Sequence, residues 1–156
     1  MGDNTLPKIA SFCVDHRKLE PGLYLSRQDW QINTYDLRFK KPNYGDYISP
    51  GAAHAIEHLA ATYLRGGKWG DKIIYFGPMG CRTGFYLLAR EDLPIADLKA
   101  LLRETFTFIK DFNGPLPGAS PEECGNYREM DLPAAKKEAA AYLDVLIKNN
   151  SRGLEY

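Results

Sequence analysis

Chemistry concentrates in one short run, His54-Ala-Ile-Glu-His58. On a helix, a spacing of four brings both imidazoles to one face, where they can grip a single divalent ion. Glu57 then stands beside them as a carboxylate able to move protons. Two imidazoles leave a coordination shell incomplete. The chain holds only three histidines and three cysteines, so candidates for a further ligand are few. Cys124 lies in the stretch 114–126, which carries three prolines and three glycines. Such a loop is stiffened by ring constraint and presents a thiolate at low ordering cost. His54, His58 and Cys124 together leave one position open, as catalytic rather than closed structural sites do.

Each residue also has a plainer reading. The two histidines could form a half-buried helix face, and Glu57 could orient a ligand or pair with a surface cation. Cys81 could be a small apolar core residue, as free cysteines often are, or a thiol acid/base. His16 reads as a satisfied structural histidine. Arg38 alternates to the polar side of its segment, as a solvent-facing or cross-strand pairing residue would. The H-x-x-E-H spacing is that of the inverted zincins, whose glutamate acts on metal-bound water, so a metal-dependent hydrolase is one alternative. A non-catalytic module held together by metal is another, and it predicts a closed four-ligand site.

These residues need elements to position them. Ser49 is a possible N-cap and Pro50 suits a first helical position. Ala53, Ile56, Leu59, Ala60, Tyr63 and Leu64 then recur at helical spacing until Gly66-Gly67. Gly22–Arg27 and Ile32–Phe39 read as strands; in the second, Tyr35, Leu37 and Phe39 alternate with Asp36, Arg38 and Lys40. Lys72–Phe76 and Thr83–Ala89 read as two more, joined by the tight Gly77-Pro-Met-Gly-Cys81 connection. Four strands in meander order predict an antiparallel sheet. Pro94–Phe112 and Pro133–Lys148 are helical by period, the latter through Ala140, Leu143 and Ile147. One sheet and three helices predict a two-layer α+β fold, with helices covering one sheet face.

Length and composition bound the rest. The 156 residues suit one domain spanning 1–156. Twenty Lys plus Arg balance twenty Asp plus Glu, so no global field draws in nucleic acid or an anionic membrane, and a small molecule is the expected partner. No apolar run approaches the ~20 residues of a spanning helix, and MGDNTLPKIASF lacks the pattern of a signal peptide. Met1-Gly2 invites a myristoylation reading, but Leu6 stands where that pattern wants Ser or Thr. Three widely spread cysteines are poor material for disulfides and suit the cytoplasm.

Five separated motifs then carry a resemblance: Ser11-Phe-Cys-Val-Asp-His16, Tyr35-Asp-Leu-Arg-Phe39, His54-Ala-Ile-Glu-His-Leu59, Pro78-Met-Gly-Cys-Arg-Thr-Gly-Phe-Tyr86 and Glu123-Cys-Gly-Asn126. In this order, along nearly the whole length, the chain resembles the S-ribosylhomocysteine lyases of the LuxS family. The resemblance implies a homodimer with active sites at the subunit interface. It implies ferrous iron on His54, His58 and Cys124, replaceable by zinc or cobalt, and no organic cofactor. Glu57 and Cys81 would be the acid/base pair, and Ser11, His16 and Arg38 would lie around the ribose. The implied reaction converts S-ribosylhomocysteine to homocysteine and 4,5-dihydroxy-2,3-pentanedione, the autoinducer-2 precursor of quorum sensing. It would run through two aldose-ketose shifts and a β-elimination. Two departures fall near the site. Tyr75-Phe76-Gly77 stands where the family usually has Asp-Ile-Ser, which removes a carboxylate expected near the substrate and allows altered substrate recognition. Ala55 replaces a usual Thr.

Overall fold

The computed structural model describes residues 5–156; Met1 and Gly2, on which the acylation reading turns, lie outside them. Four strands form one antiparallel sheet: β1 (Gly22–Asp29), β2 (Ile32–Arg38), β3 (Ile73–Pro78) and β4 (Gly84–Arg90). Three helices accompany it: α1 (Pro50–Gly66), α2 (Ile95–Asp111) and α3 (Leu132–Lys148). Short 3-10 turns at Ala10–Phe12 and Gly70–Lys72 add to the expected elements. Among the described residues, no helix is long and apolar enough to cross a membrane.

The strand order is β1-β2-β4-β3, not a meander. Both hairpins form as their short connections dictate. The β2–β3 connection carries α1, however, and is long enough to set β3 at the far edge, so that β4 pairs with β2. β2 and β3 therefore run parallel with β4 between them.

One sheet face lies under the helices. Leu23, Tyr35, Leu37, Phe76, Phe85, Leu87 and Ala89 share a core with Ile56 and Leu59 of α1 and with Leu98, Leu102, Phe106 and Ile109 of α2. Phe39 stacks on Tyr142 of α3, centroids 4.1 Å apart. Burying an aromatic or aliphatic side chain of this size contributes ~1.5–3 kcal/mol. The α2 stripe is buried as its period predicts. The α3 stripe is rotated: Ala135, Ala139, Tyr142, Leu143 and Leu146 are buried, while Ile147 is exposed. The register follows the N-cap Asp131, whose side chain accepts from Ala134 N at 3.0 Å.

The opposite face departs further from expectation. Asp36 and Arg38 are 1% and 3% exposed, so the polar side of β2 does not face solvent. They form an ion pair, Arg38 Nη2 donating to Asp36 Oδ2 at 2.6 Å. Residues after α3 cover this side: Leu25 N donates to the Leu154 carbonyl at 2.8 Å, and Tyr156 stacks on Tyr24.

Candidate metal centre and thiol pocket

α1 begins as its sequence requires. The Ser49 side chain accepts from Ala52 N at 3.2 Å and Pro50 occupies the first turn, a cap contributing about 1 kcal/mol. Its core side buries Ala52, Ala53, Ala55, Ile56, Leu59 and Ala60. His54, Glu57 and His58 fall on the half-buried remainder.

The loop between α2 and α3 comes back over this stripe. Asp131 N donates to the Gly51 carbonyl at 2.9 Å, and Cys124 N donates to the Ser120 carbonyl at 3.0 Å. Cys124 Sγ thereby lies 3.4 Å from His54 Nε2. The ligand atoms of His54, His58 and Cys124 all fall within 4.8 Å of one another.

Backbone carbonyls orient both rings. His54 Nδ1 lies 2.8 Å from the Glu129 carbonyl and His58 Nδ1 lies 2.8 Å from the Pro117 carbonyl. A carbonyl can only accept, so each Nδ1 carries its proton and each Nε2 keeps a lone pair for a metal. Two imidazole nitrogens and a thiol in this arrangement fit a divalent ion of the zinc or ferrous kind. Gly118 makes the approach possible: its φ is +70°, and a Cβ there would come within 2.8 Å of His58 Nδ1. These carbonyls and this glycine escape a search for ligand side chains; the Pro117-Gly118 pair within a rigid loop is their only trace in the sequence.

The other candidate residues meet elsewhere. Ser11, His16, Arg38, Cys81, Thr83 and Tyr86 line a pocket of about 540 Å³ whose lining does not include His54, His58 or Cys124. Cys81 is exposed in the β3–β4 turn rather than in the core. Its Sγ lies 3.1 Å from Thr83 Oγ1, which accepts from Arg38 Nη1 at 2.8 Å. Accepting from Arg38 leaves the Thr83 hydroxyl proton free for the sulfur. Burial works against the charge of the Arg38 guanidinium, but the charge and hydrogen bond of Asp36 together outweigh it and hold the group above its already high ordinary range, so it stays charged. The Arg38 cation thus stands one hydroxyl away from the Cys81 sulfur. His16 Nδ1 donates to the Val14 carbonyl at 2.8 Å, which leaves Nε2 free. Among the described residues, Glu57 forms no ion pair with a cation of its own chain.

Thr83 and Asp36 were not singled out from the sequence. Asp36-x-Arg38 on a strand places both side chains on one face, a pairing signal that could have found Asp36; Thr83 meets Arg38 only across 45 residues of sequence.

Comparison with known proteins decides the family. The profile described as S-Ribosylhomocysteinase (LuxS) matches residues 9–152. The chain belongs to the LuxS family. A protein of Phocaeicola vulgatus named S-ribosylhomocysteine lyase is 49% identical over 149 residues, covering 92% of each chain. One from Desulfotalea psychrophila, of the same name, is 48% identical over 92% of this chain and 94% of its own. A third, from Clostridium beijerinckii, is 46% identical over 97% of this chain and 99% of its own.

Within this LuxS chain, the departures noted in the sequence form a matched pair. Tyr75 and Gly77 lie on the same side of β3, and a Cβ at Gly77 would fall 1.9 Å from Tyr75 Oη. The phenol therefore lies over the backbone of Gly77, in space that a serine side chain would need. Ala55 is buried on the core side of α1.

Proposed function

We propose that this protein is a metal-dependent lyase that cleaves the thioether of S-ribosylhomocysteine to homocysteine and 4,5-dihydroxy-2,3-pentanedione. The observation that carries this reading is the combination of a three-ligand centre, His54, His58 and Cys124, with a separate polar pocket that presents the Cys81 thiol. A hydrolase working through Glu57 alone has no use for that thiol, and a closed structural site would want a fourth protein ligand. The relatives' shared name supplies the substrate.

Arg38, Ser11 and His16 bind the hydroxyls of the ribose, with Arg38 as the fixed cation. Cys81 and Glu57 are the acid/base pair. One takes the proton from the hydroxyl-bearing carbon beside the carbonyl, a proton is returned to the former carbonyl carbon, and the hydroxyl's proton passes to the former carbonyl oxygen, which moves the carbonyl one position along the sugar. Two such shifts prepare a third deprotonation, which expels the homocysteine thiolate by β-elimination with no net redox change. A divalent ion on His54, His58 and Cys124 supplies the Lewis acidity that makes such C–H protons removable. Ferrous iron is the proposed native ion, with zinc or cobalt as substitutes; a nitrogen and sulfur ligand set binds zinc more tightly, so cellular supply decides occupancy.

The working unit is a homodimer with its active sites at the subunit interface. Two observations support this. The thiol pocket and the metal ligands fall in separate places on one chain, and exposed Phe12 lines that pocket while Leu6 and Ile9 of the same N-terminal segment are also exposed, which is the kind of apolar surface a partner covers. Three free thiols fit a cytoplasmic protein.

Product identification by mass spectrometry tests the reading. Equal amounts of homocysteine and the pentanedione are expected, and substrate loss without a new thiol would refute it.

A further inference from the structure

Four hydrogen bonds connect the segment after α3 to the thiol pocket. The Tyr156 hydroxyl donates to Asp36 Oδ2 at 2.8 Å, and Arg38 Nη2 donates to the same oxygen at 2.6 Å. Arg38 Nη1 reaches Thr83 Oγ1, and Thr83 Oγ1 reaches Cys81 Sγ. Asp36, Arg38 and Thr83 are buried. Asp36 Oδ1 and Arg38 Nε have no partner among the described residues; the two donors that those residues offer the carboxylate both reach one oxygen, Oδ2.

Resting on the reading of Cys81 as a proton-transfer group, we propose that Tyr156 is a positioning residue: its hydroxyl fixes and partly compensates the Asp36 carboxylate, and so sets how much of the Arg38 charge reaches Cys81. Tyr156 is suited to be a permanent donor. Burial first, and then the charge of Asp36, hold its phenol protonated well beyond the usual tyrosine range. Its ring is oriented independently by the stack on Tyr24, 4.9 Å between centroids at 14°. Tyr156→Phe therefore removes the donor and keeps the stack.

The consequence for Cys81 has a sign. Without the phenol hydroxyl, Asp36 draws more fully on Arg38, the field at the sulfur weakens, and the thiolate forms less readily. Among the described residues of its own chain, the other titratable or charged groups facing Cys81 are His16, Tyr47 and Tyr86 in the pocket wall and Arg82 beside it; Tyr156→Phe alters none of them.

The experiment is alkylation of metal-loaded, full-length protein with iodoacetamide across pH, read on the Cys81 peptide by mass spectrometry. For Tyr156→Phe the profile moves to higher pH by ~0.3–1 unit, with alkylation at neutral pH slowed about 2–5-fold. Turnover falls through kcat rather than KM and recovers as the assay pH is raised. Asp36→Asn removes the screening charge and moves the Cys81 profile the opposite way. A Tyr156→Phe profile that superimposes on wild type, or two variants that shift in the same direction, overturns the proposal. Because alkylation needs no substrate, these outcomes are separate from the lyase assignment. That assignment fails instead if Cys81→Ala retains turnover.

Discussion

Gly118 lies directly against the ring of His58: a methyl group on its Cα would reach 2.8 Å from Nδ1 and 3.1 Å from Cε1. The nitrogen it would strike is the one that donates to the Pro117 carbonyl. Gly118 also adopts φ +70°, where any side chain is strained.

Gly118→Ala should therefore disturb the orientation of a metal ligand without adding or removing one. We expect metal affinity to fall by ~10–100-fold, as when a hydrogen bond supporting a ligand is lost. Competition with a chromogenic chelator measures this. Circular dichroism should be unchanged, because the core packs elsewhere, and an unaltered affinity would mean the loop shifts freely.

Alkaline pH should destabilise the fold through Tyr142. Its ring is buried and its hydroxyl donates to the Gly22 carbonyl at 3.0 Å. Burial, with the charge of Asp36 second, raises its ionisation well above the ordinary value near 10. The stability contributed by the neutral phenol is complete below that ordinary value. It is lost as pH rises toward the folded value, because the unfolded chain releases a proton that the folded chain keeps. Urea midpoints should decline above about pH 10, at up to ~1.4 kcal/mol per pH unit for this group. Tyr142→Phe should flatten that decline while costing ~1 kcal/mol at neutral pH through the lost hydrogen bond.

The local signals in the sequence were strong and the long-range ones weak. Ser49-Pro50 and the His54–His58 spacing define α1 and its ligand stripe because caps and helical period act within a few residues. The place of β4 between β2 and β3 depends on where a long connection returns, which no local pattern records. Arg38 reads as a solvent-facing or cross-strand pairing residue because alternation cannot reveal that Tyr156 reaches over this side of β2 to Asp36. The orientation of His54 and His58 by Glu129 and Pro117 was invisible for a related reason: carbonyls belong to every residue.

Tyr75 and Gly77 should behave as a coupled pair. Gly77→Ser alone must turn the Tyr75 phenol off the strand, which is an inexpensive move because that ring is half exposed. A stability loss below ~1 kcal/mol is expected from thermal unfolding. Combining Tyr75→Asp with Gly77→Ser restores the two outer residues of the usual family run. We expect KM for S-ribosylhomocysteine to fall with kcat little changed, whereas an unchanged KM would place Tyr75 outside substrate recognition.

A dimer with shared sites predicts complementation. Cys81→Ala and His58→Ala should each be inactive as homodimers. Co-expressed mixed dimers should regain activity if one subunit supplies the thiol and the other the metal ligands, and should stay silent if each chain builds its own site. Tagged heterodimers purified in two affinity steps give the comparison.

The most direct test is release of free thiol. Ferrous-loaded protein incubated anaerobically with S-ribosylhomocysteine should liberate homocysteine, detected with a thiol reagent, while Cys81→Ala with the same metal content should not. A metal-replete wild type that releases no thiol, or a Cys81→Ala variant that matches it, would contradict the assignment of this chain as a thiol-dependent lyase.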